Sequence, residues 1–176
     1  MIKNNKGVTL VALSITIVVI LIIASVTYVS GRDLLDSTKL KGYITTMYLV
    51  KGEVDNINES YQFDGDTNHL KGSKLDITYT NPDTGISTNE MLKDIYVKEI
   101  FVGMSDASDR ANSEISNGNW YILKQDDIKD MGIENDMLDN GDVFIVNYNT
   151  GLIIYSKGYT SSGITTYSLD GLLNLE

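Results

Sequence analysis

Three oxygen-bearing side chains occupy alternate positions of a polar loop, namely Asp64, Asp66 and Asn68. Alternating carboxylate and amide oxygens are the ligands with which an EF-hand loop begins to bind calcium. Here His69 stands where the sharp-turn glycine belongs, and Leu75 stands where the last glutamate belongs. So partial a match favours a solvated turn over a calcium site by roughly ten to one. We therefore expect no cofactor, with calcium on these three side chains as the weak alternative.

Residues for other kinds of chemistry are scarce. The chain has no cysteine and one histidine, His69, which nearly excludes nucleophilic triads and histidine metal clusters. The glycines are scattered singly, so no glycine-rich phosphate loop is present. A second acidic run, formed by Glu134, Asp136, Asp139 and Asp142, is interpreted as a solvated loop, with calcium again as the minority alternative. No catalytic residues are assigned, and we predict that the chain is not an enzyme.

The charge balance argues against nucleic acid as a partner. The formal net charge is -10, and loss of Lys3 and Lys6 with a cleaved leader would take it to -12. An acidic surface keeps a domain soluble and repels phosphate backbones, which bind basic patches.

A long apolar segment, residues 8–29, contains 22 residues and no charge. A helix needs about 20 apolar residues to cross a bilayer, whereas the core of a signal peptide has only about 7 to 15. Lys3 and Lys6 precede the segment and favour a cytoplasmic N-terminus. The segment therefore predicts a single-pass protein of the cell membrane.

A basic residue and a glycine stand directly before this segment, in the sequence Lys6-Gly7-Val8-Thr9-Leu10-Val11. In this respect the chain resembles the type IV pilin and type II secretion pseudopilin family, over roughly the first 30 residues. The resemblance implies that a prepilin peptidase cuts after Gly7 and that the new N-terminus, Val8, is methylated.

One position departs from the family pattern. Most members carry a glutamate at the position of Ala12, where the carboxylate is thought to meet the N-terminal amine of a neighbouring subunit and fix its register. Ala12 cannot form that pair. We expect Thr9 and Ser14 to take over part of the register-setting role through hydrogen bonds between helices, each worth about 0.6 kcal/mol.

The resemblance also implies a function and a set of partners. We expect a structural subunit of a type IV pilus-like filament or a type II secretion-like pseudopilus, first in the cell membrane and then in an extracellular surface filament. The implied partners are other pilin subunits, prepilin peptidase, a membrane platform protein, an assembly ATPase, and membrane lipid before assembly. Two alternatives remain open: an uncleaved, membrane-anchored surface protein whose extracellular domain binds a ligand, and a secreted protein released after Gly31.

The elements that would position these residues follow from hydrophobic periodicity. We predict a leader at 1–7, a membrane or filament-core helix at 8–30, its amphipathic continuation at 31–62, and a β-rich globular domain at 63–176. The amphipathic part rests on apolar residues at spacings of three and four. These residues are Leu40, Ile44, Met47, Val54, Ile57 and Tyr61.

The globular domain is predicted to be a small antiparallel sheet, which makes the fold α+β, and the resemblance implies that it is pilin-like. Alternating Leu75, Ile77 and Tyr79 predict a strand, and Ser87 with Glu90 predicts a capping box that starts a short helix. Residues 96–102 are interpreted as a strand, and 103–119 as a loop with one helical turn near 110–115. The remaining predictions are a strand at 120–123 that opens on a core Trp120, a helix at 125–131, a hairpin at 143–156 and an edge strand at 164–169.

Overall fold

The computed structural model describes residue 17 and residues 38–82, 84–134, 141–161 and 163–175. The chain divides into two compact units, Met1–Lys41 and Gly42–Glu176. In the first unit the described residues, 17 and 38–41, are helical. The second unit is a mixed α+β structure, and the architecture below is that of this unit.

The predicted localisation, in the cell membrane and then in an extracellular filament, is contradicted. Among the described residues, no helix has both the length and the apolar character needed to cross a bilayer. The segment 8–29, on which the prediction was based, lies outside the described residues apart from Ile17.

Helix α1 spans residues 38–64 in the described part of the chain. Ile44, Met47, Val50 and Val54 are buried along one stripe, at the spacing of an amphipathic helix. The helix ends where Gly65, with φ 72°, donates its N–H to the carbonyl of Tyr61 at 2.8 Å. The predicted amphipathic helix is confirmed from residue 38 onward.

In the described part of the chain, five antiparallel strands form one sheet in sequential order, β1-β2-β3-β4-β5. Each strand pairs with the next along the chain, so short turns suffice to connect most of them. The bounds are Ser73–Lys74 for β1, Trp120–Leu123 for β2, Phe144–Asn147 for β3, Leu152–Ser161 for β4 and Ile164–Ser168 for β5.

The central hairpin, β3 with β4, is buried on both faces. On one face Ile145, paired with Ile154, belongs to the cluster that contains Leu92 and Trp120. The other face carries Phe144 and Tyr155, which contact each other, and Tyr155 packs against Tyr43 of α1 with ring centroids 5.7 Å apart. Near-continuous apolar strands are typical of a sheet covered on both sides. The predicted hairpin and the core position of Trp120 are confirmed.

Helix α2 spans Thr88–Ile95 and begins with the predicted capping box. Ser87 Oγ accepts the N–H of Glu90 at 3.2 Å, while the Glu90 carboxylate accepts the N–H of Ser87 at 2.9 Å. The chain then continues as a π-helical turn over Tyr96–Ile100, closed by the N–H of Phe101 on the carbonyl of Tyr96 at 2.7 Å. The predicted strand at 96–102 is therefore wrong, because the nucleated helix propagates through its β-branched residues.

Helix α3 spans Ala107–Asn117, where the sequence predicted a loop with one helical turn. Its buried face is made of Ala107, Ala111 and Ile115, spaced four residues apart. Two of these three residues are alanines, whose small side chains gave too weak a periodic signal to extend the predicted turn.

The predicted strand at Leu75, Ile77 and Tyr79 is also wrong. Asp76 Oδ1 accepts hydrogen bonds from the backbone N–H of Thr78 at 2.8 Å and from its hydroxyl at 2.7 Å. This side chain closes a local turn that competes with an extended strand. Strand β1 pairs with β2 at Ser73 and Lys74, and its last bond to β2 is the N–H of Leu75 on the carbonyl of Trp120 at 2.9 Å.

Two short helices complete the described structure. Helix α4 spans Gln125–Asp130, which confirms the predicted helix, and Gly132 follows it at φ 77°. Helix α5, Leu169–Leu173, follows β5 directly and buries Leu169 and Leu172. The predicted edge strand is confirmed as β5.

Candidate functional site

The loop predicted as a weak calcium site directs its carboxylates at its own backbone. Asp64 Oδ1 accepts the N–H of Asp66 at 2.9 Å, and Asp66 Oδ1 accepts the N–H of Asn68 at 2.9 Å. Asp64 Oδ2 lies 2.8 Å from His69 Nε2. The pKa of Asp64 is lowered from its ordinary 3.8, first by the backbone N–H of Asp66 and then by His69.

This arrangement stabilises a turn. His69 belongs to this turn, because its ring faces the carboxylate of Asp64. Within the described ranges, no group of three or more histidine, aspartate or glutamate side chains is arranged to hold a metal ion. In the second acidic run, Asp136 and Asp139 lie outside the described residues.

The residues predicted for processing and register lie outside the described part of the chain. Gly7 and Val8 at the proposed cut, and Thr9, Ala12 and Ser14 beyond it, are all in this category. Their roles stay predictions, as do the proposed limits of the leader and the filament-core helix.

The side of α1 that faces away from the sheet is unusual for a solvated helix. Gly42, Thr45, Leu49 and Gly52, which we call the outer face, are exposed and repeat at spacings of three, four and three residues. Leu49 is 54% exposed, and Tyr48 at the margin of this face is 51% exposed.

Packing within the subunit does not require glycine at either of the two glycine positions of the outer face. A Cβ atom at Gly42 or at Gly52 would meet nothing within 4 Å. Glycine in a helix interior costs about 1 kcal/mol relative to alanine. A bare backbone beside an exposed leucine instead suits close approach by another helix, since the distance between helix axes depends on the side chains at the contact.

A cavity of about 350 Å³ lies beside Tyr96, where the β3–β4 turn meets α1 and the π-helical turn. We call it the Tyr96 cavity. Its apolar wall includes Ile100, Phe101, Leu152 and Leu169. The polar residues that line it are Lys51, Glu114, Thr150 and Asp170.

Tyr96 is 3% exposed, and its hydroxyl closes no hydrogen bond with the described residues. Burial raises its pKa to about 12, and the charge of Glu114 adds to this rise. Asn147 and Thr150 lie close enough to oppose the rise.

Lys51, which lines the cavity, has two partners of its own. Lys51 Nζ lies 3.1 Å from Asp55 Oδ2 and donates to the carbonyl of Gly151 at 3.2 Å. Gly151 has φ 67°, and a Cβ there would collide with Lys51 Nζ and Asp55 Oδ1. The glycine thus serves both the turn and the close approach of the lysine.

No family profile, no curated protein and no solved structure matches this chain. The sequence did not indicate Tyr96 or Glu114 as neighbours. They are 18 residues apart, and the helices that carry them were predicted as a strand and a loop. The outer face could have been recognised from the spacing of its small residues. Gly42 stands three residues before Thr45 and ten residues before Gly52.

Proposed function

We propose that this chain is a structural subunit of a type IV pilus-like filament or a type II secretion-like pseudopilus, and that its role is not enzymatic. The observation that carries the proposal is the outer face of α1, with exposed Leu49 between Gly42 and Gly52. In a pilin-like arrangement one side of a long N-terminal helix is covered by a sheet, and the other side packs against neighbouring subunits. The α+β fold supports this proposal because α1 buries only its sheet-facing stripe.

The processing step rests on the resemblance at the N-terminus. We propose that prepilin peptidase cuts between Gly7 and Val8 and that Val8 becomes the methylated first residue. Thr9 and Ser14 would then set the register that Ala12 cannot set. The proposed partners are other pilin subunits, the peptidase, a platform protein and an assembly ATPase.

The outer face can be tested by cross-linking because the natural chain has no cysteine. A Leu49→Cys variant would be treated with a short bismaleimide cross-linker in the cells that produce it. We expect covalent dimers, since the proposal places this residue of one subunit near a helix of the next.

An Asn112→Cys variant is the matched control. Asn112 is an exposed residue of α3, outside the proposed interface. The proposal expects it to remain monomeric under the same conditions. Monomers for both variants, or equal dimer yields for both, would contradict assembly through the outer face.

A further inference from the structure

The two outer strands of the sheet, β1 and β5, each have one edge without a neighbouring strand in the described part of the chain. An open edge presents unpaired N–H and C=O groups and is a template for a further strand. Ser73 and Lys74 of β1 are exposed, and Ile164 of β5 is 65% exposed. Both edges therefore lie at the surface of the subunit.

The β1 edge combines free backbone groups with positive charge. The N–H of Leu75 donates to the carbonyl of Trp120 in β2 at 2.9 Å, so the N–H and C=O of the preceding residue, Lys74, point away from β2. Residues 70–75 contain two lysines and no acidic residue, in a chain whose net charge is -10. The side chains of Lys71 and Lys74 are exposed and form no ion pair with the described residues.

The β5 edge is open at Thr165 and closed at Tyr167. The N–H of Tyr167 donates to the carboxylate of Glu99 at 3.1 Å, so it points away from β4. Backbone groups two residues apart along a strand point to the same side, so the N–H and C=O of Thr165 also point outward. Thr165 and Lys74 thus offer a donor and an acceptor on opposite edges of one sheet.

A cavity of about 660 Å³ adjoins the β5 edge and is lined by Ile164, Val102 and Glu99. Val102 is 60% exposed, so the cavity has an open apolar side. Two further charged residues line it, Asp94 and Lys98, but they pair with each other at 2.7 Å, and the charge of Glu99 has no cation of its own among the described residues. A lysine on an added strand could lay its methylene stem on the apolar side and bring its ammonium group to Glu99.

We propose that β1 of one copy of this chain adds to the open edge of β5 in the next copy, so that the sheet continues from subunit to subunit. Lys74 then lies beside Thr165, and its ammonium group faces Glu99. Two β1 edges would instead bring lysines together, and two β5 edges would bring carboxylates together. Because two different edges meet, the contact is heterologous and can repeat without closing, as in a filament.

The edge contact rests on the proposed filament. An open edge of so few residues forms a small contact, which gains occupancy when another contact already holds two copies side by side. The outer face of α1 provides that contact in the proposed function. The edges and the outer face have no residue in common, so each can be tested separately.

The edge contact is tested by cross-linking two different cysteines in the cells that produce the protein. Ser73→Cys labels the β1 edge and Ile164→Cys labels the β5 edge, in a chain that has no natural cysteine. Within one copy the two edges are separated by four strand spacings of about 4.8 Å each, beyond the reach of a short bismaleimide. We expect the double variant to give a ladder of dimers, trimers and longer species, and each single variant to remain monomeric.

A charge reversal tests the electrostatic part of the contact. In the double-cysteine background Lys74→Glu should lower the yield of the ladder about tenfold or more, because like charges then meet. Lys129→Glu makes the same change of charge at an exposed position of α4 and should leave the ladder unchanged. Equal losses for the two variants, or no loss with Lys74→Glu, would overturn the proposal.

The Leu49→Cys experiment separates the edge contact from the proposed function. Dimers of Leu49→Cys without a ladder from the two edge cysteines would overturn the edge contact and leave the filament in place. A ladder without Leu49→Cys dimers would support the edge contact and contradict assembly through the outer face. Dimers of either single edge variant would mean that like edges meet, which would overturn the heterologous contact.

Discussion

Glu99 Oε2 accepts two hydrogen bonds from Ser168, one from its backbone N–H at 2.7 Å and one from its hydroxyl at 2.7 Å. Ser168 Oγ in turn accepts the N–H of Gly171 at 3.0 Å. The two residues thus join the π-helical turn after α2 to the point where β5 becomes α5. A Cβ at Gly171 would lie 2.6 Å from Glu99 Oε2, so the glycine permits this approach.

Removal of the Glu99 carboxylate should be costly. Each hydrogen bond to a charged group contributes about 1.5–3 kcal/mol, and the N–H groups of Tyr167 and Ser168 would both lose their acceptor. We expect Glu99→Ala to lower the free energy of unfolding by about 2 kcal/mol or more, measured by urea denaturation. Asp94→Ala breaks an exposed pair with Lys98 and should cost about 0.5 kcal/mol or less. Equal losses for the two variants would argue against the role of Glu99.

Two buried tyrosines should respond differently to loss of their hydroxyl. Tyr148 Oη accepts the N–H of Lys71 at 3.1 Å and donates to its carbonyl at 3.1 Å, whereas the hydroxyl of Tyr96 closes no such bond. We expect Tyr148→Phe to lower the free energy of unfolding by about 1–3 kcal/mol. Tyr96→Phe should leave it unchanged or raise it, as measured by thermal and urea denaturation. A loss at Tyr96→Phe as large as that at Tyr148→Phe would mean that the Tyr96 hydroxyl is already satisfied.

The capping box of α2 should contribute to the dependence of stability on pH. The pKa of Glu90 is lowered from its ordinary 4.5, first by the backbone N–H of Ser87 and then by its hydroxyl. A lowered folded-state pKa means that the carboxylate stabilises the fold above its unfolded-state pKa and loses this effect as the pH falls through the folded-state pKa. Glu90→Gln should therefore be less stable than the natural chain at neutral pH, and the difference should shrink below pH 4.5.

The measurement for Glu90 is urea denaturation of both proteins across the acidic range. Glu59→Gln, an exposed substitution with no capping contact, provides the baseline. A difference between Glu90→Gln and the natural chain that stays constant down to the lowest pH would contradict the linkage.

The glycines of the outer face should lower the stability of the isolated subunit and favour contact between subunits. Gly42→Ala with Gly52→Ala should raise the free energy of unfolding of the isolated subunit by about 1 kcal/mol per site, from helix propensity. In the Leu49→Cys background the same pair should lower the yield of cross-linked dimer. Gly151→Ala should instead destabilise by about 1 kcal/mol or more, because φ is 67° there and the new Cβ would collide with Lys51. Unchanged dimer yield with the alanines would count against close helix packing at this face.

Strong local signals in the sequence predicted much of the fold correctly. The Ser87 capping box, the β3–β4 hairpin and the stripe on α1 each carry one dominant pattern, and each is confirmed. Lys51 stands at a position of that stripe where the periodicity predicts an apolar residue. The structure explains this lysine, because its ammonium group contacts the Asp55 carboxylate and donates to the carbonyl of Gly151.

The failures arose where a side chain bonded its own backbone or where contacts were distant in sequence. Asp76 folds its segment into a turn despite the alternation around it. The residues 96–100 continue α2 as a helix, and Glu99 there binds Ser168, 69 residues away. Neither the Tyr96 cavity nor the Glu99 contact could be predicted, since both depend on the packing of α2 and α3 against the sheet.

The central claim, a filament subunit processed at its leader, is tested most directly by the intact mass of the protein isolated from the cells that produce it. The account expects a chain that begins at Val8 and carries one added methyl group on its N-terminal amine. A fragment spectrum that assigns the methyl group to Val8 would complete the result. A mass that retains residues 1–7, or a chain that begins at Arg32, would contradict the account.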